Sequence, residues 1–292
     1  MKQSKSLSLG YADLHTHSFH SDGRDAPAQI VQRAKDSGLA GLALTDHDTY
    51  EGIEEAGSKA EQLGLRFIPG VELSTVCEER EVHVLGYFPD GPSREFLEMI
   101  ERMSVKRVGR MKRMIEKLNQ LGCPIEEQEV FSRTEGEIVG RAHLFRAIRD
   151  TFSGEFDERA DKWLNIGGEA FEPTSDMTPS EAIEWIRNSG GAAVLAHPGT
   201  SGIDHLIQGL IEHGLMGIEA VYPKHGSMQV RRYKKLAVDN GLIITGGSDW
   251  HGIFPGSSVF HSGSLGAGKV PVETIDMLID AVKDLRNKKE GL

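Results

Sequence analysis

Histidine and carboxylate residues recur in this sequence directly after short apolar segments. His-Thr-His follows the first segment at 15–17, Thr-Asp-His-Asp follows the second at 45–48, and Ser-Asp-Trp-His follows a late one at 248–251. Imidazoles and carboxylates are the ligands that Zn²⁺, Mn²⁺ and Fe²⁺ take in proteins. Burying so many of these groups together without cations would be costly. The pattern therefore predicts a metal centre, and its candidate ligands are His15, His17, Asp22, His47, Glu72, His83, His197, Asp249 and His251.

The number of candidates sets the size of the metal centre. Six imidazoles and three carboxylates exceed what one ion takes. They fit two or three ions with three or four protein ligands each, which leaves positions for water and substrate.

The elements that must position these residues are short apolar strands. Strands are predicted at 10–14, 41–45, 66–73, 82–88, 192–196, 217–221 and 242–245. Most of them alternate with helical segments, which indicates an α/β fold with a largely parallel sheet covered by helices. Because the carboxyl ends of parallel barrel strands share one rim, the candidate ligands are expected to converge there.

The alternation of strands and helices is interrupted in the middle of the chain. A long helix is predicted from Ser93 to about Leu121, and the next helix to alternate with a strand begins at Pro179. Residues 101–149 also hold eleven Lys and Arg against seven Asp and Glu, whereas the whole chain carries a net charge of −11. We therefore expect a catalytic barrel of residues 1–100 and 173–292, with a helical insertion domain of residues 101–172 over its mouth.

Composition limits the classes of partner. The 292 residues are 38% hydrophobic and 26% charged, which is ordinary for a globular protein. No apolar run approaches the 18 residues of a membrane span, and the acidic net charge argues against coating long duplex nucleic acid. The two cysteines cannot form a disulfide framework. We expect a cytoplasmic monomer with no membrane partner.

The motifs resemble those of the PHP (polymerase and histidinol phosphatase) metallophosphoesterases. The resemblance rests on Asp-Leu-His-Thr-His-Ser, Ser-Asp-Gly, Leu-Thr-Asp-His-Asp, Gly-Val-Glu, His-Val-Leu-Gly, Leu-Ala-His-Pro-Gly and Gly-Gly-Ser-Asp-Trp-His-Gly, and it covers nearly the whole chain. It implies a distorted seven-stranded (β/α) barrel with three divalent metal ions, Mn²⁺ foremost and Zn²⁺ or Fe²⁺ as alternatives.

The resemblance also implies how the ligands are shared among the ions. One ion would be held by His15, His17, Glu72 and Asp249. A second would be held by Glu72, His83 and His197, with Glu72 bridging the two ions. The third would be held by Asp22, His47 and His251.

The insertion narrows the resemblance to one branch of the family. Gly-Arg-Ala-His at 140–143, the segment with Arg107 and Arg110, and the region of Gly168 resemble the branch that acts on nucleotide 3′,5′-bisphosphates. That branch includes an exoribonuclease for short 5′-phosphorylated RNA. The resemblance implies hydrolysis of the 5′-phosphate of a pAp-like nucleotide by a hydroxide that bridges two ions.

The candidate roles then divide between chemistry and recognition. Asp249 and His197 are the candidates for relaying a proton. The expected substrate contacts are Arg107, Arg110, Arg141, His143 and His225. A helix N-terminus beside an arginine, as expected at Arg141, is a good anion site.

Several alternatives remain open. The leading one is a 5′-3′ exoribonuclease for short 5′-phosphorylated RNA, followed by a phosphatase of the histidinol-phosphate type and by a metal amidohydrolase. The last is disfavoured because no candidate bridging Lys follows the fourth strand. A PHP module that binds metal without catalysis is a further alternative, although all nine ligand types are present.

Overall fold

Eight strands form the framework of the protein. The computed structural model describes residues 10–132, 134, 138–253 and 264–290. The strands are β1 (Tyr11–Asp13), β2 (Gly41–Leu44), β3 (Arg66–Cys77), β4 (Arg80–Tyr87), β5 (Ala192–Leu195), β6 (Gly217–Val221), β7 (Ile243–Gly246) and β8 (Val270–Pro271). They build one sheet in the order β7-β6-β5-β4-β3-β2-β1-β8. Each of the seven predicted strands has its counterpart in β1–β7, and the two-residue β8 was not predicted.

The sheet curls into a nearly closed barrel. Beyond β1, the Leu14 amide donates to the Gly246 carbonyl at 3.2 Å, and the Asp249 amide donates to the His15 carbonyl at 2.9 Å. These bonds join the end of β1 to the end of β7 at the other side of the sheet. All residues of β2 and of β5 are buried, as expected where both faces of a sheet are covered.

The orientation of β4 departs from the parallel arrangement expected from the sequence. β4 runs antiparallel to both β3 and β5, whereas β1-β2-β3 and β5-β6-β7 pair in parallel. The cause is a tight connection in which only Glu78 and Glu79, with φ of 50° and 60°, separate β3 from β4. A parallel crossover needs a dozen or more residues. The amino-terminal half of β4 therefore lies at the rim.

Helices cover the barrel and continue into the middle of the chain. They are α1 (Pro27–Asp36), α2 (Ile53–Leu63), α3 (Arg94–Gln120), α4 (Glu127–Phe131), α5 (Arg141–Phe152), α6 (Asp157–Leu164), α7 (Pro179–Asn188), α8 (Pro198–Ser201), α9 (Ile207–Glu212), α10 (Ser227–Asn240) and α11 (Thr274–Glu290). The predicted starts at Ser93 and Pro179 are confirmed, and the Ser93 side chain caps α3 by accepting from the Phe96 amide. None of the helices in the described ranges is both long and apolar enough to span a membrane. The cytoplasmic location and the monomeric state stay predictions.

Helix α3 links two hydrophobic clusters. Its first turns pack Phe96 and Ile100 with the barrel residues. Its later turns pack Met111 and Leu118 in a separate cluster with residues of α4, α5 and α6. The domain boundary expected at residue 101 thus falls inside a continuous helix, and the division into barrel and insertion domain stays a prediction.

Candidate metal centre

The candidate ligands meet at the rim of the barrel, although they come from two stretches of the chain, residues 15–83 and 197–251. His15 and His17 follow β1, His47 follows β2, Glu72 lies within β3, and His197 follows β5. His83 reaches the same rim because β4 is antiparallel, which places it opposite Ser74 of β3. Asp249 and His251 follow β7, and Asp22 lies in the loop after β1.

Glu72 lies at the centre of this cluster and is fully buried. Its Oε2 atom lies 3.0 Å from His15 Nε2, 3.1 Å from His17 Nε2 and 3.2 Å from His47 Nδ1. Its Oε1 atom lies 2.9 Å from His83 Nδ1 and 3.1 Å from His197 Nε2. One carboxylate thus faces five imidazoles, an arrangement suited to bridging two cations.

Within the described part of the chain, three groups of side chains have ligand atoms within 4.8 Å of one another. One group has the four members expected for the first ion. Another contains the three residues expected for the third ion together with His17. The remaining group joins Glu72 and His83 to His47, while His197, the third member expected for the second ion, also contacts Glu72. In order, the groups are His15, His17, Glu72 and Asp249; His17, Asp22, His47 and His251; and His47, Glu72 and His83.

The electrostatics of the cluster fit divalent cations. Burial favours the neutral form of His17, but Asp249 and Glu72 outweigh it and raise its pKa to about 10. Burial likewise opposes ionisation of Glu72, but the surrounding imidazoles hold its pKa well below the usual range. Two ring nitrogens, His15 Nε2 and His17 Nε2, lie only 3.1 Å apart. Among the described residues, the buried atoms Asp22 Oδ1 and His47 Nδ1 lie 3.0 Å from His251 Nε2 and 3.2 Å from Glu72 Oε2, but without the geometry of a hydrogen bond. Nitrogen and oxygen donors left facing one another in this way suit a metal of the Zn²⁺, Mn²⁺ or Fe²⁺ type.

Buried acidic residues that the sequence analysis did not select support the cluster. Asp46 accepts from the Ser18 amide at 2.7 Å and from Ser21 Oγ at 2.6 Å, which orders the loop after β1. Glu219, in the middle of β6, accepts from the His197 amide and contacts the ring of His15. A charged residue inside an otherwise apolar strand was the signal that could have identified Glu219.

A cavity opens beside the cluster and joins it to basic side chains. Asp22, His47, His83, Asp249 and His251 line its metal side. The rest of its lining includes Arg107, Arg110, Arg141 and Arg146 from the middle of the chain and Lys224 from the loop after β6. The arrangement can therefore hold an anionic group against the metal side and a second anion against the arginines.

The two predicted arginines of α3 differ in their partners. Arg107 Nε donates to Asp48 Oδ2 at 2.7 Å and Arg107 Nη2 donates to Ser74 Oγ at 2.6 Å, so this side chain is engaged in a buried ion pair. Arg110 Nε donates to the Glu172 carbonyl at 2.8 Å. Its Nη2 atom is buried and forms an ion pair with Glu81 Oε1 at 3.7 Å, but it makes no hydrogen bond with the described residues.

The other predicted substrate contacts have different surroundings. Arg141 lines the cavity and Arg141 Nη2 donates to Glu81 at 2.7 Å. His143 does not line it: the residue is buried, and its Nδ1 accepts from the Gly140 amide at 3.0 Å at the start of α5. His225 does not line it either, since its Nε2 accepts from the Gly199 amide and its Nδ1 lies 3.2 Å from the Ala220 carbonyl.

Comparison with known proteins places these motifs in context. A family model described as the PHP domain matches residues 13–171. The chain is 30% identical over 250 residues to the phosphoribosyl 1,2-cyclic phosphate 1,2-diphosphodiesterase of Eggerthella lenta, covering 83% of this chain and 94% of that protein. It is 31% identical over 249 residues to the 5′-3′ exoribonuclease Rnm of Escherichia coli, covering 82% and 84%. It is 30% identical over 255 residues to the 3′,5′-nucleoside bisphosphate phosphatase of Chromobacterium violaceum, covering 82% and 86%.

Solved structures share the architecture. A protein of Bifidobacterium adolescentis described as a metal-dependent phosphoesterase aligns with a TM-score of 0.80 at 27% identity, covering 94% of this chain and 97% of that one. A protein of Chromobacterium violaceum described as an amidohydrolase with bound sulfate and no metal aligns with a TM-score of 0.73 at 30% identity, covering 87% and 91%.

Proposed function

Because the chain belongs to the PHP domain family of metal-dependent phosphoesterases, we propose that it removes the 5′-phosphate of a nucleoside 3′,5′-bisphosphate such as pAp. The observation that carries this proposal is one cavity lined on one side by the candidate ligands and on the other by arginines. A phosphomonoester with a second phosphate nearby has the charge distribution that such a cavity complements.

The proposed cofactor is a set of three divalent ions, with Mn²⁺ foremost. His15, His17, Glu72 and Asp249 would hold the first, Glu72, His83 and His197 the second, and Asp22, His47 and His251 the third. When bound, divalent ions supply a water of lowered pKa and neutralise charge on the phosphoryl oxygens.

Asp249 is the better placed of the two candidates for moving a proton. Its carboxylate lines the cavity, and the hydroxyl of Tyr222 donates to its Oδ2 at 2.9 Å. Burial opposes ionisation of Asp249, but the neighbouring imidazoles outweigh it and keep its pKa well below the usual range, so the side chain is ionised. His197, in contrast, does not line the cavity, and its ring nitrogens contact Thr200 Oγ1 at 3.0 Å and Glu72 at 3.1 Å. We therefore assign proton acceptance to Asp249 and a ligand role to His197.

Recognition of the second phosphate is assigned to Arg110 and Arg141. Arg110 Nη2 is a buried donor that lies 3.7 Å from Glu81 Oε1 and makes no hydrogen bond with the described residues, so a phosphate oxygen could accept one from it. Beside it, Gly140, Arg141 and Ala142 at the start of the twelve-residue α5 line the same cavity, and a helix N-terminus favours anions. His143 and His225 are assigned to holding the backbone, through Gly140 and Gly199.

The names of the relatives support a substrate with more than one phosphate. A nucleoside bisphosphate, a phosphoribosyl cyclic phosphate and an RNA chain each carry at least two phosphorus centres. The exoribonuclease reaction is the main alternative, since a 5′-phosphorylated RNA also presents a phosphate one nucleotide away. Histidinol phosphate and amide substrates offer no second phosphate for Arg110 and Arg141.

A comparison of substrates tests the proposal. Phosphate release from adenosine 3′,5′-bisphosphate is measured beside product analysis on a 5′-phosphorylated RNA pentamer and on phosphoribosyl 1,2-cyclic phosphate. The proposal predicts the highest kcat/KM for the bisphosphate, with AMP lacking the 3′-phosphate as a poorer substrate. Preferred shortening of the pentamer, or preferred opening of the cyclic phosphate, would assign the chain to that reaction instead.

A further inference from the structure

Strand β6 supplies none of the candidate ligands, yet Glu219 in its middle and Tyr222 directly after it contact three of them. Glu219 is fully buried in this strand. Its Oε1 and Oε2 atoms lie 3.1 and 3.2 Å from His15 Nδ1. Its Oε2 also accepts from the backbone amide of His197 at 2.9 Å. One carboxylate thus links the ligand after β1 to the ligand after β5.

We infer that Glu219 is a positioning residue that orients His15 for metal binding, an inference that rests on the proposed ligand set. A carboxylate facing Nδ1 makes that nitrogen the protonated one of the neutral ring. The lone pair of Nε2 is then directed at Glu72 Oε2, 3.0 Å away, and at Asp249 Oδ1, 3.5 Å away. Hydrogen bonds of this kind fix the tautomer and the ring orientation of a metal-binding histidine and increase its basicity.

The same carboxylate holds the turn that presents His197. The backbone of His197 has a φ of 24°, a conformation that a residue with a side chain rarely adopts. The bond from its amide to Glu219 stabilises this conformation on one side. His225, six residues after Glu219, accepts from the amide of Gly199 at 3.1 Å and secures the turn on the other side.

A local irregularity allows β6 to contact a third ligand. The register between β6 and β7 shifts between Glu219 and Val221, and such bulges redirect side chains at strand ends. Tyr222 follows directly, and its hydroxyl donates to Asp249 Oδ2 at 2.9 Å. Asp249 itself has a φ of 55°, so this bond also stabilises a backbone conformation that is unfavourable for aspartate.

Glu219 acts through the ligands rather than on the substrate. It has no solvent exposure, it does not line the cavity beside the cluster, and it belongs to none of the three groups of candidate ligands in the described chain. Its contacts are instead to the far side of the His15 ring and to the backbone of His197. A direct role in catalysis would require access that this position lacks.

The test is a measurement of Mn²⁺ affinity by competition with a chelator, made on the parent chain and on Glu219→Gln. The inference predicts an affinity lower by about 10–100-fold in the variant. Glu81→Gln is the charge control, because Glu81 lies near the cluster and interacts electrostatically with His83, but it pairs with Arg141 and makes no hydrogen bond to a candidate ligand within the described ranges. Glu81→Gln is expected to change the affinity far less, whereas an equal loss in both variants would show a charge effect and overturn the inference.

A spectroscopic measurement separates orientation from charge. The visible absorption of bound Co²⁺ depends on the geometry of its ligands. At saturating Co²⁺, Glu219→Gln should have an altered spectrum because His15 is no longer held in place. A spectrum identical to that of the parent would contradict a positioning role.

A second pair of variants tests the inference independently, in case Glu219→Gln does not fold. Tyr222→Phe removes only the hydroxyl that contacts Asp249, and Tyr233→Phe removes a matched buried hydroxyl that donates to Asp204 at 2.8 Å. The inference predicts weaker Mn²⁺ binding for Tyr222→Phe alone. The positioning role of β6 would be overturned if Tyr222→Phe and Tyr233→Phe bound Mn²⁺ with equal affinity and Glu219→Gln, where it folds, bound Mn²⁺ as tightly as the parent. A parent chain that binds no Mn²⁺ would overturn both this inference and the proposed function, whereas tight binding by parent and variants alike would overturn this inference only.

Discussion

At the scale of single residues, the candidate centre depends most on Glu72. Its two oxygens face five imidazoles, and it belongs to two of the three ligand groups. Asp22, in contrast, belongs to one group only. The two carboxylates should therefore differ in how much metal their loss removes.

Glu72→Ala should retain about two fewer Mn²⁺ ions per chain than the parent, because it deprives two sites of a ligand at once. Asp22→Ala should retain about one fewer. Metal content after gel filtration, measured by elemental analysis, checks both expectations. Equal metal loss in the two variants would contradict a bridging role for Glu72.

Arg110→Gln should lower kcat/KM for adenosine 3′,5′-bisphosphate by about 10–150-fold, which corresponds to a charge-assisted hydrogen bond of about 1.5–3 kcal/mol. It should leave an aryl phosphate, which has no second anion, nearly unchanged. Arg113→Gln is the control, since Arg113 lies on the same helix but pairs with Glu172 outside the cavity lining.

Equal losses of activity on both substrates would mean that Arg110 contacts the reacting phosphate or stabilises the fold. Thermal unfolding of both variants is measured alongside, because Arg110 also donates to the Glu172 carbonyl.

The candidate ligands could be predicted from the sequence because each follows or lies in a recognisable apolar segment. Their partners were harder to predict. Tyr222 and Asp46 act through contacts with residues that are distant in sequence, and the sequence contains no spacing rule for such pairs. The pairing of Arg107 with Asp48 was missed for the same reason, since it joins α3 to the loop that carries His47.

At the scale of elements, the hairpin of β3 and β4 explains how His83 reaches the rim. The strands were predictable from their apolar composition, and the short segment between them already excluded a parallel crossover. The antiparallel orientation was therefore within reach of the sequence. The sequence could not show where a helical insertion would begin, because α3 is one uninterrupted amphipathic helix that packs on both hydrophobic clusters.

Helix α5 offers a test that depends on pH. Burial, together with the nearby Arg146, lowers the pKa of His143 to about 4, whereas an unfolded histidine titrates near 6.5. As the pH falls from 6.5 towards 4, His143 binds a proton in the unfolded chain but stays neutral in the folded chain. The free energy of unfolding should therefore decrease by as much as about 3 kcal/mol over this range from His143 alone.

His143→Gln isolates this contribution. A glutamine at this position can still accept from the Gly140 amide but does not titrate. Denaturant unfolding of parent and variant from pH 7 to pH 4.5 should show the parent losing stability relative to the variant as the pH falls. A constant difference in stability between them would mean that the pKa of His143 is the same in the folded and the unfolded chain.

At the scale of the whole molecule, the metal ions would join parts of the chain that are far apart in sequence. Among the described residues, the candidate ligands lie in or after six of the eight strands, namely β1 to β5 and β7. Ions that bind the folded barrel and not the unfolded chain stabilise the folded state by mass action.

Removal of metal should lower the thermal midpoint of unfolding, and Mn²⁺ in excess of the chelator should restore it. When the metal is removed, the clustered nitrogen and oxygen ligand atoms face one another with no cation between them, which destabilises the folded state. Differential scanning calorimetry on the parent and on Glu72→Ala checks this, and the variant should respond less to Mn²⁺. A midpoint that is independent of Mn²⁺ in the parent would contradict binding at the rim.

The central claim is that these rim residues form a metal-dependent centre for phosphoester hydrolysis. The most direct measurement is phosphate release from adenosine 3′,5′-bisphosphate by chelator-stripped protein as Mn²⁺ is added back, with Glu72→Ala in parallel. The account predicts no hydrolysis in the stripped parent, recovery with added Mn²⁺, and little recovery in the variant. Full hydrolysis by the stripped parent, or equal recovery in Glu72→Ala, would contradict it.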